Sequence, residues 1–415
     1  MAKQQRIVDV QERLPLGESL PLSLQHLFAM FGSTVLVPFL TGLNPSIALL
    51  TSGIGTLLYI LLTKGMIPGY LGSSFAFIGP IIAVSKSQGV GAALFGCLLS
   101  GVVYIIVAGI IRTSGTRWLD RLLPPVVVGS IVIVIGLGLA GVAVDMASKD
   151  WTVASVALLI AIVASAFFRG FLGVIPILLG IIGGFVFAAI RGLVDFSAVG
   201  KAAWFAMPEF TMPHASWTAA IVIAPVALVT IAEHIGHLLV TQNIVGRDLM
   251  KNPGLHRSML GDGVATALAG LVGGPPSTTY GENIGVMAIT RVYSVWVIGG
   301  AAVFAVLFSF IGKFSAMITS IPVPVMGGIS ILLFGIIASA GLRMLVESGI
   351  NYTHKRNLII SSVILVLGVG GAKINIGDLQ IEGMALATFA GILLNLVLPR
   401  GLNEDDAAES EQVVH

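Results

Sequence analysis

The sequence predicts an all-α polytopic membrane protein: fourteen transmembrane segments in two inverted repeats of seven, with two short broken spans, the third and the tenth, that contain brief extended strands. Three observations predict it. The 415 residues are 56% hydrophobic and only 10% charged, against about 25% charged in a soluble domain. Apolar runs of helix-spanning length recur along the whole chain, and about 20 such residues cross a bilayer. Chemistry-bearing residues also return in the same order in the second half.

Taken in order, residues 1–20 are polar and are expected outside the bilayer. The first repeat, 21–190, holds spans at 21–40, 45–63, a broken one near 70–85, 90–111, 122–143, 152–168 and 171–190. The first of these is helix-length, rich in polar residues and without a small-residue cleavage site, so it is read as retained. A polar connection, 191–217, leads to the second repeat, 218–398, with spans at 218–241, 258–275, a broken one near 280–291, 293–312, 322–342, 357–372 and 381–398. The tail, 399–415, is acidic from Asn403 to His415 and is read as a solvated end. With these spans, sixteen Lys and Arg fall on the side of the N-terminus and six on the other. Cytoplasmic loops carry the excess of Lys and Arg, so both termini are expected to be cytoplasmic.

The remaining composition excludes several function classes. A net charge of +2 without a basic block gives nothing to neutralise phosphates, so no nucleic acid is expected as a partner. Cys97 is the one cysteine and sits in an apolar run, which removes disulfides and cysteine metal sites. No cofactor and no metal are expected, and the pattern of spans argues for transport rather than an enzyme.

The repeat rests on three matches. Gln25-His26 in span one corresponds to Glu233-His234 in span eight. Ser74 follows Gln25 by 49 residues, and Glu282 follows Glu233 by 49. Pro125 and Gly129 with Gly136 match Pro324 and Gly328 with Gly335 at identical spacing. Seven spans is an odd number, so the second copy would be inverted. In transporters built this way the site lies near the midplane, at discontinuous spans in corresponding positions.

The broken spans fit that placement. Tyr70 to Pro80 and Thr278 to Arg291 each begin with hydroxyl, glycine and aromatic residues and then turn apolar. A short extended piece leading into a half-helix suits both, and the half-helix start offers unpaired N–H groups to ligand oxygens. The two extended pieces could pair and satisfy each other's backbone. Glu282 heads the second half-helix, and an acid deep in an apolar run is a functional-site hypothesis by default. Its alternative is a carboxylate that caps the helix end. Glu233 and His237, four residues apart, share one helix face and could exchange a proton, or could form a structural pair between helices. His234 lies off that face and reads as packing. Asn283 suits stitching of irregular backbone, and Gln25 and His26 either line the cavity or bond between helices. Phe75, Phe77, Tyr280 and Phe334 could stack on a flat ligand or simply pack. Arg291 is read as the cytoplasmic end of the half-helix.

The run from Glu282 to Arg291, with Asn283, Gly285 and Thr290, resembles the signature of the nucleobase–ascorbate transporter family (nucleobase/cation symporter family 2). Gln25-His26 resembles the family's first-span motif. Glu at position 282, with Ala232 to His237 and Gly72 to Phe77, is similar to the bacterial uracil permease branch, and the similarity runs from about Leu20 to Leu398. The resemblance implies a core domain of spans one to four and eight to eleven that carries the site. A gate domain of spans five to seven and twelve to fourteen would face it and carry a homodimer contact. It implies that Glu233 and Glu282 hold the polar edge of a pyrimidine, assisted by backbone N–H groups at Phe75 and Gly281, with Ser74 in the same broken span. Tyr280 and Phe334 would pack against the ring, and His237 is linked to proton coupling. Some relatives have Tyr where this chain has Phe334, and one has Ala where it has Ser33, so the pocket would shift slightly at both. The function so implied is a proton-coupled uracil importer of a bacterial inner membrane, with uracil, a proton and the lipid bilayer as partners. A purine or xanthine symporter is one alternative, against which Glu rather than Gln at 282 argues; a membrane-embedded enzyme, with two acids and a His for metal-assisted hydrolysis, is the other, against which the repeat argues.

Overall fold

The computed structural model describes residues 6–376 and 379–399; the acidic tail and the first five residues of the N-terminal segment lie outside the described residues. In chain order, the first half has α1 (Leu16–Thr41), α2 (Pro45–Leu62), β1 (Leu71–Ser73), a 3-10 turn at Phe75–Phe77, α3 (Ile78–Gln88) and α4 (Val90–Ser114). It continues with α5 (Arg117–Leu122), α6 (Pro125–Leu137), α7 (Ala140–Ala147), α8 (Trp151–Phe167), α9 (Phe171–Val174) and α10 (Pro176–Ile190). The polar connection holds α11 (Ser197–Lys201). Then come α12 (Trp217–Ile223), α13 (Val226–Val245), α14 (Leu255–Val272), β2 (Ser277–Thr279), α15 (Gly281–Thr290), α16 (Val295–Ser309) and α17 (Gly312–Thr319). The chain closes with α18 (Val323–Glu347), α19 (Lys355–Val369), β3 (Lys373–Ile376), β4 (Leu379–Glu382) and α20 (Gly383–Val397).

Every expected span coincides with one or two of these helices. Among the described residues six stretches are long and apolar enough to cross a membrane: α1, α2, α4, α6 with α7, α12 with α13, and α18. Four shorter apolar helices are α8, α10, α16 and α20. Two expected single spans are split where proline removes a backbone donor and crowds the preceding turn. Pro176 separates α9 from α10, and Pro225 separates α12 from α13. Local signals set the ends. Asn44 caps α2 by accepting from the N–H of Ser46, with Pro45 in the first turn. Gly42 and Gly246 end α1 and α13 in the left-handed conformation that glycine adopts without penalty.

The structure divides into two compact units. Of the described residues, those up to 114 and 142–332 form the first, and 115–141 and those from 333 onward form the second. In the first unit α4 lies against α14, and α2 against both α14 and α16. Small residues permit this. A Cβ on Gly101 would sit 2.3 Å from the Ala267 nitrogen, and one on Gly53 would sit 2.5 Å from the Ala302 oxygen. Close backbone approach of this kind is how helices pack where lipid removes the hydrophobic drive.

In the second unit α19 packs on α6 and α20. Asn395 on α20 donates to the Arg121 carbonyl at 2.7 Å and accepts from Arg356 at 2.6 Å. The hairpin of β3 and β4, in register from Lys373↔Glu382 to Ile376↔Leu379, occupies the connection after the expected span 357–372 and takes the first two residues of the expected span 381–398, so α20 starts only at Gly383.

The N-terminal segment is bonded to the chain around Arg291 and Val295. Val8 bridges to Val292: its N–H donates to the Arg291 carbonyl at 3.0 Å, and its carbonyl accepts from Tyr293 at 2.9 Å. Val295 donates to the Val10 carbonyl at 2.8 Å. Asp9 pairs with Arg247, just beyond α13, and the Arg13 guanidinium lies 3.8 Å from the centre of the Trp296 ring. This strap therefore ties together the ends of α13 and α15, the two helices that carry Glu233 and Glu282.

Candidate functional site

Two three-residue strands organise the site. β1 and β2 pair antiparallel, Leu71 with Thr279, Gly72 with Thr278 and Ser73 with Ser277. The ladder extends at both ends, from Ser74 N–H to the Pro276 carbonyl (2.9 Å) and from Tyr280 N–H to the Tyr70 carbonyl (3.0 Å). This is the pairing that the two broken spans had suggested. The outer edges are closed in matching fashion. Thr56 on α2 accepts from the Leu71 N–H at 2.9 Å and donates to its carbonyl at 3.3 Å. Thr266 on α14 does the same for Ser277, at 3.1 and 3.3 Å.

Each strand runs straight into a helix start. Neither the turn at Phe75 nor α15 has a side-chain cap. The first N–H groups of a helix have no partner within it, so those at the Phe75 and Gly281 ends are free to meet an acceptor. Glu282 stands in the first turn of α15, where the helix dipole favours negative charge. Its Oε1 accepts from Ser33 Oγ on α1 at 2.5 Å.

α13 lies against the turn at Phe75, β2 and α15. It brings Glu233 within electrostatic reach of Glu282. Among the described residues no hydrogen bond is made to the Glu233 carboxyl. His237 Nδ1 is 3.0 Å from Thr279 Oγ1, and its Nε2 would be 3.5 Å from a Cβ on Gly281. Glu233, His237, Glu282 and Phe75 are half-buried and Gly281 is exposed, so these groups border accessible space. The arrangement offers two carboxyls, free N–H groups, an imidazole and an aromatic ring. It suits a small planar molecule with both donors and acceptors.

Other expected residues take different places. Tyr280 is 3% exposed. Its ring covers Gly72, where a Cβ would come within 2.4 Å of ring carbons, and its hydroxyl donates to the Ser73 carbonyl at 2.9 Å and accepts from Thr34 at 3.2 Å. Its ring thus backs the strand pair. Ser74 is fully buried, with a hydroxyl that finds no partner. Asn283 donates to the His26 carbonyl at 3.0 Å and lies 3.1 Å from its Nδ1, which is the stitching and interhelical bonding that the sequence allowed for both. Gln25 is half-buried. Phe334 belongs to the second unit, is 2% exposed, and presents its backbone to Gly136 of α6.

One acid escaped the sequence reading. Asp262 on α14 is 0% exposed and its Oδ2 is 3.0 Å from His234 Nδ1. The contact is close but poorly aligned, since neither atom completes a hydrogen bond. His234 Nε2 meets Ser258 Oγ at 2.7 Å, and Ser258 meets the Tyr59 hydroxyl at 2.7 Å. His234 is thus a packing residue with a polar task, next to the buried acid Asp262. The signal was available: an acid between two glycines inside an apolar run. Among the described residues no group of three or more His, Cys, Asp or Glu could hold a metal ion.

Comparison with known proteins places this geometry. A family model described as the permease family matches residues 17–377. Similar relatives include the uracil permease of Bacillus caldolyticus, 57% identical over 409 residues with 95% of each chain covered. Those of Bacillus subtilis strain 168 and Escherichia coli K12 are 58% and 52% identical, with 94% of each chain covered in both cases. Among solved structures, the overall structure of SLC26A9 aligns with a TM-score of 0.69 at 10% identity, over 91% of this chain and 64% of its own. The transmembrane domain of the cyanobacterial bicarbonate transporter BicA aligns with a TM-score of 0.64 at 11% identity, over 94% of this chain and all of that domain. At such identities these two show the fold alone, a helical membrane transporter fold.

Proposed function

Since this chain belongs to the permease family and is a uracil transporter of the bacterial uracil permease kind rather than an enzyme, we propose that it imports uracil together with a proton by alternating access. What supports this is the packing of α13, the helix that carries Glu233, against α15, whose start at Glu282 has no side-chain cap. Uracil has two N–H donors and two carbonyl acceptors on a flat ring. A carboxylate accepts from an N–H, and a protonated carboxyl also donates to a carbonyl. The free N–H groups at Phe75 and Gly281 take the remaining acceptor edge. Phe75 offers a face to the ring.

In this reading Glu233 binds the transported proton and His237, one turn further along α13, relays it. Loss of the proton inside weakens the hold on uracil. The spans number fourteen in two inverted repeats. This is supported by the antiparallel pairing of one strand from each half, and by the matching Thr56 and Thr266 bonds. The core domain then moves against the gate domain, the protein works as a homodimer in a bacterial inner membrane, and both termini are cytoplasmic.

The test is uptake of radiolabelled uracil into proteoliposomes, with and without an inward proton gradient. The gradient is expected to drive accumulation. His237→Ala is expected to keep uracil exchange at equal pH and to lose the response to the gradient. Gradient-driven accumulation at the wild-type level in that variant would remove His237 from the relay.

A further inference from the structure

A crevice of about 380 Å³ lies between α1, α10 and α17 and shares no lining residue with the site. Its back wall is Leu27, Phe31 and Ile318, all buried. Phe314 forms a second wall, with its ring centre 5.4 Å from that of Phe31 and 5.2 Å from that of Phe308. No lining residue has a side chain that hydrogen-bonds strongly. The mouth is formed by Ile182, Val186 and Met317, which are 51%, 49% and 47% exposed.

The chemistry of the walls decides the occupant. A water needs two to four polar partners, and a dry apolar cavity of about 150 Å³ already takes benzene. Uracil would leave its polar edge unpaired in such a place, which is costly. An empty crevice would forfeit dispersion contacts along its whole lining. The mouth residues lie on an apolar helix of a membrane permease and on the helix that follows α16, so hydrocarbon chains are the molecules at hand.

The end of the crevice near Phe314 also carries charge. Lys313, its neighbour in sequence, donates to the Val199 and Gly200 carbonyls at 3.0 and 3.5 Å and lies 5.4 Å from the centre of the Trp204 ring. Lys201, exposed, follows Gly200 directly. Trp204 and Phe205 are exposed, and exposed aromatic residues gather at membrane interfaces. Two cations beside an aromatic cluster complement a phosphate headgroup. We propose that the crevice holds one acyl chain of an anionic phospholipid whose headgroup lies at Lys313 and Lys201.

The experiment reconstitutes the full chain in vesicles containing a phosphatidylglycerol with a photoreactive group on its acyl chain. Cross-linked peptides are then mapped by mass spectrometry. Label is expected on the α10 and α17 peptides in excess of that on Ile106, a half-exposed residue on α4. The double variant Ile182→Trp/Met317→Trp narrows the mouth from both sides at exposed positions. It is expected to lose most of the label on α10 and α17 and to keep that on α4. Lys313→Gln is expected to reduce the excess of phosphatidylglycerol over phosphatidylcholine labelling by about fivefold. Equal labelling of crevice and α4, or labelling that the double variant leaves unchanged, would overturn the proposal. Because the readout is lipid contact and not uptake, it stands or falls independently of the proton mechanism.

Discussion

Replacing Glu282 by Gln separates the charge of this side chain from its shape. In the native protein one carboxylate oxygen is occupied by Ser33 at 2.5 Å, which leaves the other to accept from a ring N–H of uracil. A glutamine fills the same volume, and its amide oxygen can keep the Ser33 bond, so the fold should be undisturbed. Its second polar atom, however, is a donor. The uracil N–H then meets an N–H, and the bond to a charged acceptor is lost. Hydrogen bonds to charged groups contribute ~1.5–3 kcal/mol, so the dissociation constant should rise by about 10- to 150-fold. The assay is equilibrium binding of radiolabelled uracil to purified protein, with thermal unfolding of the unliganded form as the control. Adding Ser33→Ala to the variant should cost little more, because the oriented carboxylate is already gone. A Glu282→Gln protein that unfolds at the native temperature and binds uracil within about twofold of native affinity, a difference under ~0.5 kcal/mol, would show that Glu282 does not accept from the ligand.

Three further predictions concern the supports of the site, each read by thermal unfolding of purified protein. Gly72→Ala places a Cβ 2.4 Å from carbons of the Tyr280 ring and should destabilise by ~1–3 kcal/mol as overpacking; an unchanged unfolding temperature would mean that the ring moves freely. Asp262→Ala leaves His234 facing a void and should cost ~3–5 kcal/mol, as when one member of a buried pair is removed, whereas Asp262→Asn should cost clearly less. Equal losses in the two variants would deny the pair any role. At the strap, Arg247→Ala removes an exposed ion pair with Asp9 and should cost no more than ~1 kcal/mol. Deleting residues 1–10 should cost several times that, because it removes three backbone bonds at about 0.5–1.5 kcal/mol each and the burial of Val8 and Val10.

What the sequence disclosed follows a physical rule. Glu233, His237 and Glu282 were legible because charge is expensive in an apolar run and so stands out. The two strands were legible because glycines and hydroxyl residues interrupt spans that are otherwise unbroken. Asp262 carries the same kind of signal, but its meaning depends on His234, a residue 28 positions earlier that meets it only once α13 and α14 are packed. The orientation of Tyr280 was likewise hidden, because the space that its ring fills is created by Gly72 on the opposite strand. The strap is short, and three of its bonds join backbone groups of Val8 and Val10 to those of Arg291, Tyr293 and Val295, which no side-chain pattern announces. The β3–β4 hairpin does show alternation, at Ile374 and Ile376 and again at Leu379 and Ile381, but the stretch lies between two spans and was absorbed into their count.

The strand pair explains how free N–H groups can exist at this depth at all. Lipid does not tolerate unpaired backbone, and a two-stranded sheet normally leaves two open edges. Here the edges are closed by side chains. Thr56 serves both backbone groups of Leu71 and Thr266 both of Ser277, while Ser52 adds a bond to the Leu71 carbonyl at 2.6 Å. With Leu71 and Ser277 satisfied on the outer edges, the strand pair delivers two helix starts, beside Phe75 and Gly281, whose first N–H groups have no partner within the helix. They project from opposite ends of one short ladder, so their separation is fixed by three residue pairs rather than by the packing of long helices. Specificity for a small ring with alternating donors and acceptors needs that kind of fixed spacing. In the proposed reading, Glu282, held by Ser33, and Glu233 on α13 add side-chain acceptors to these donors.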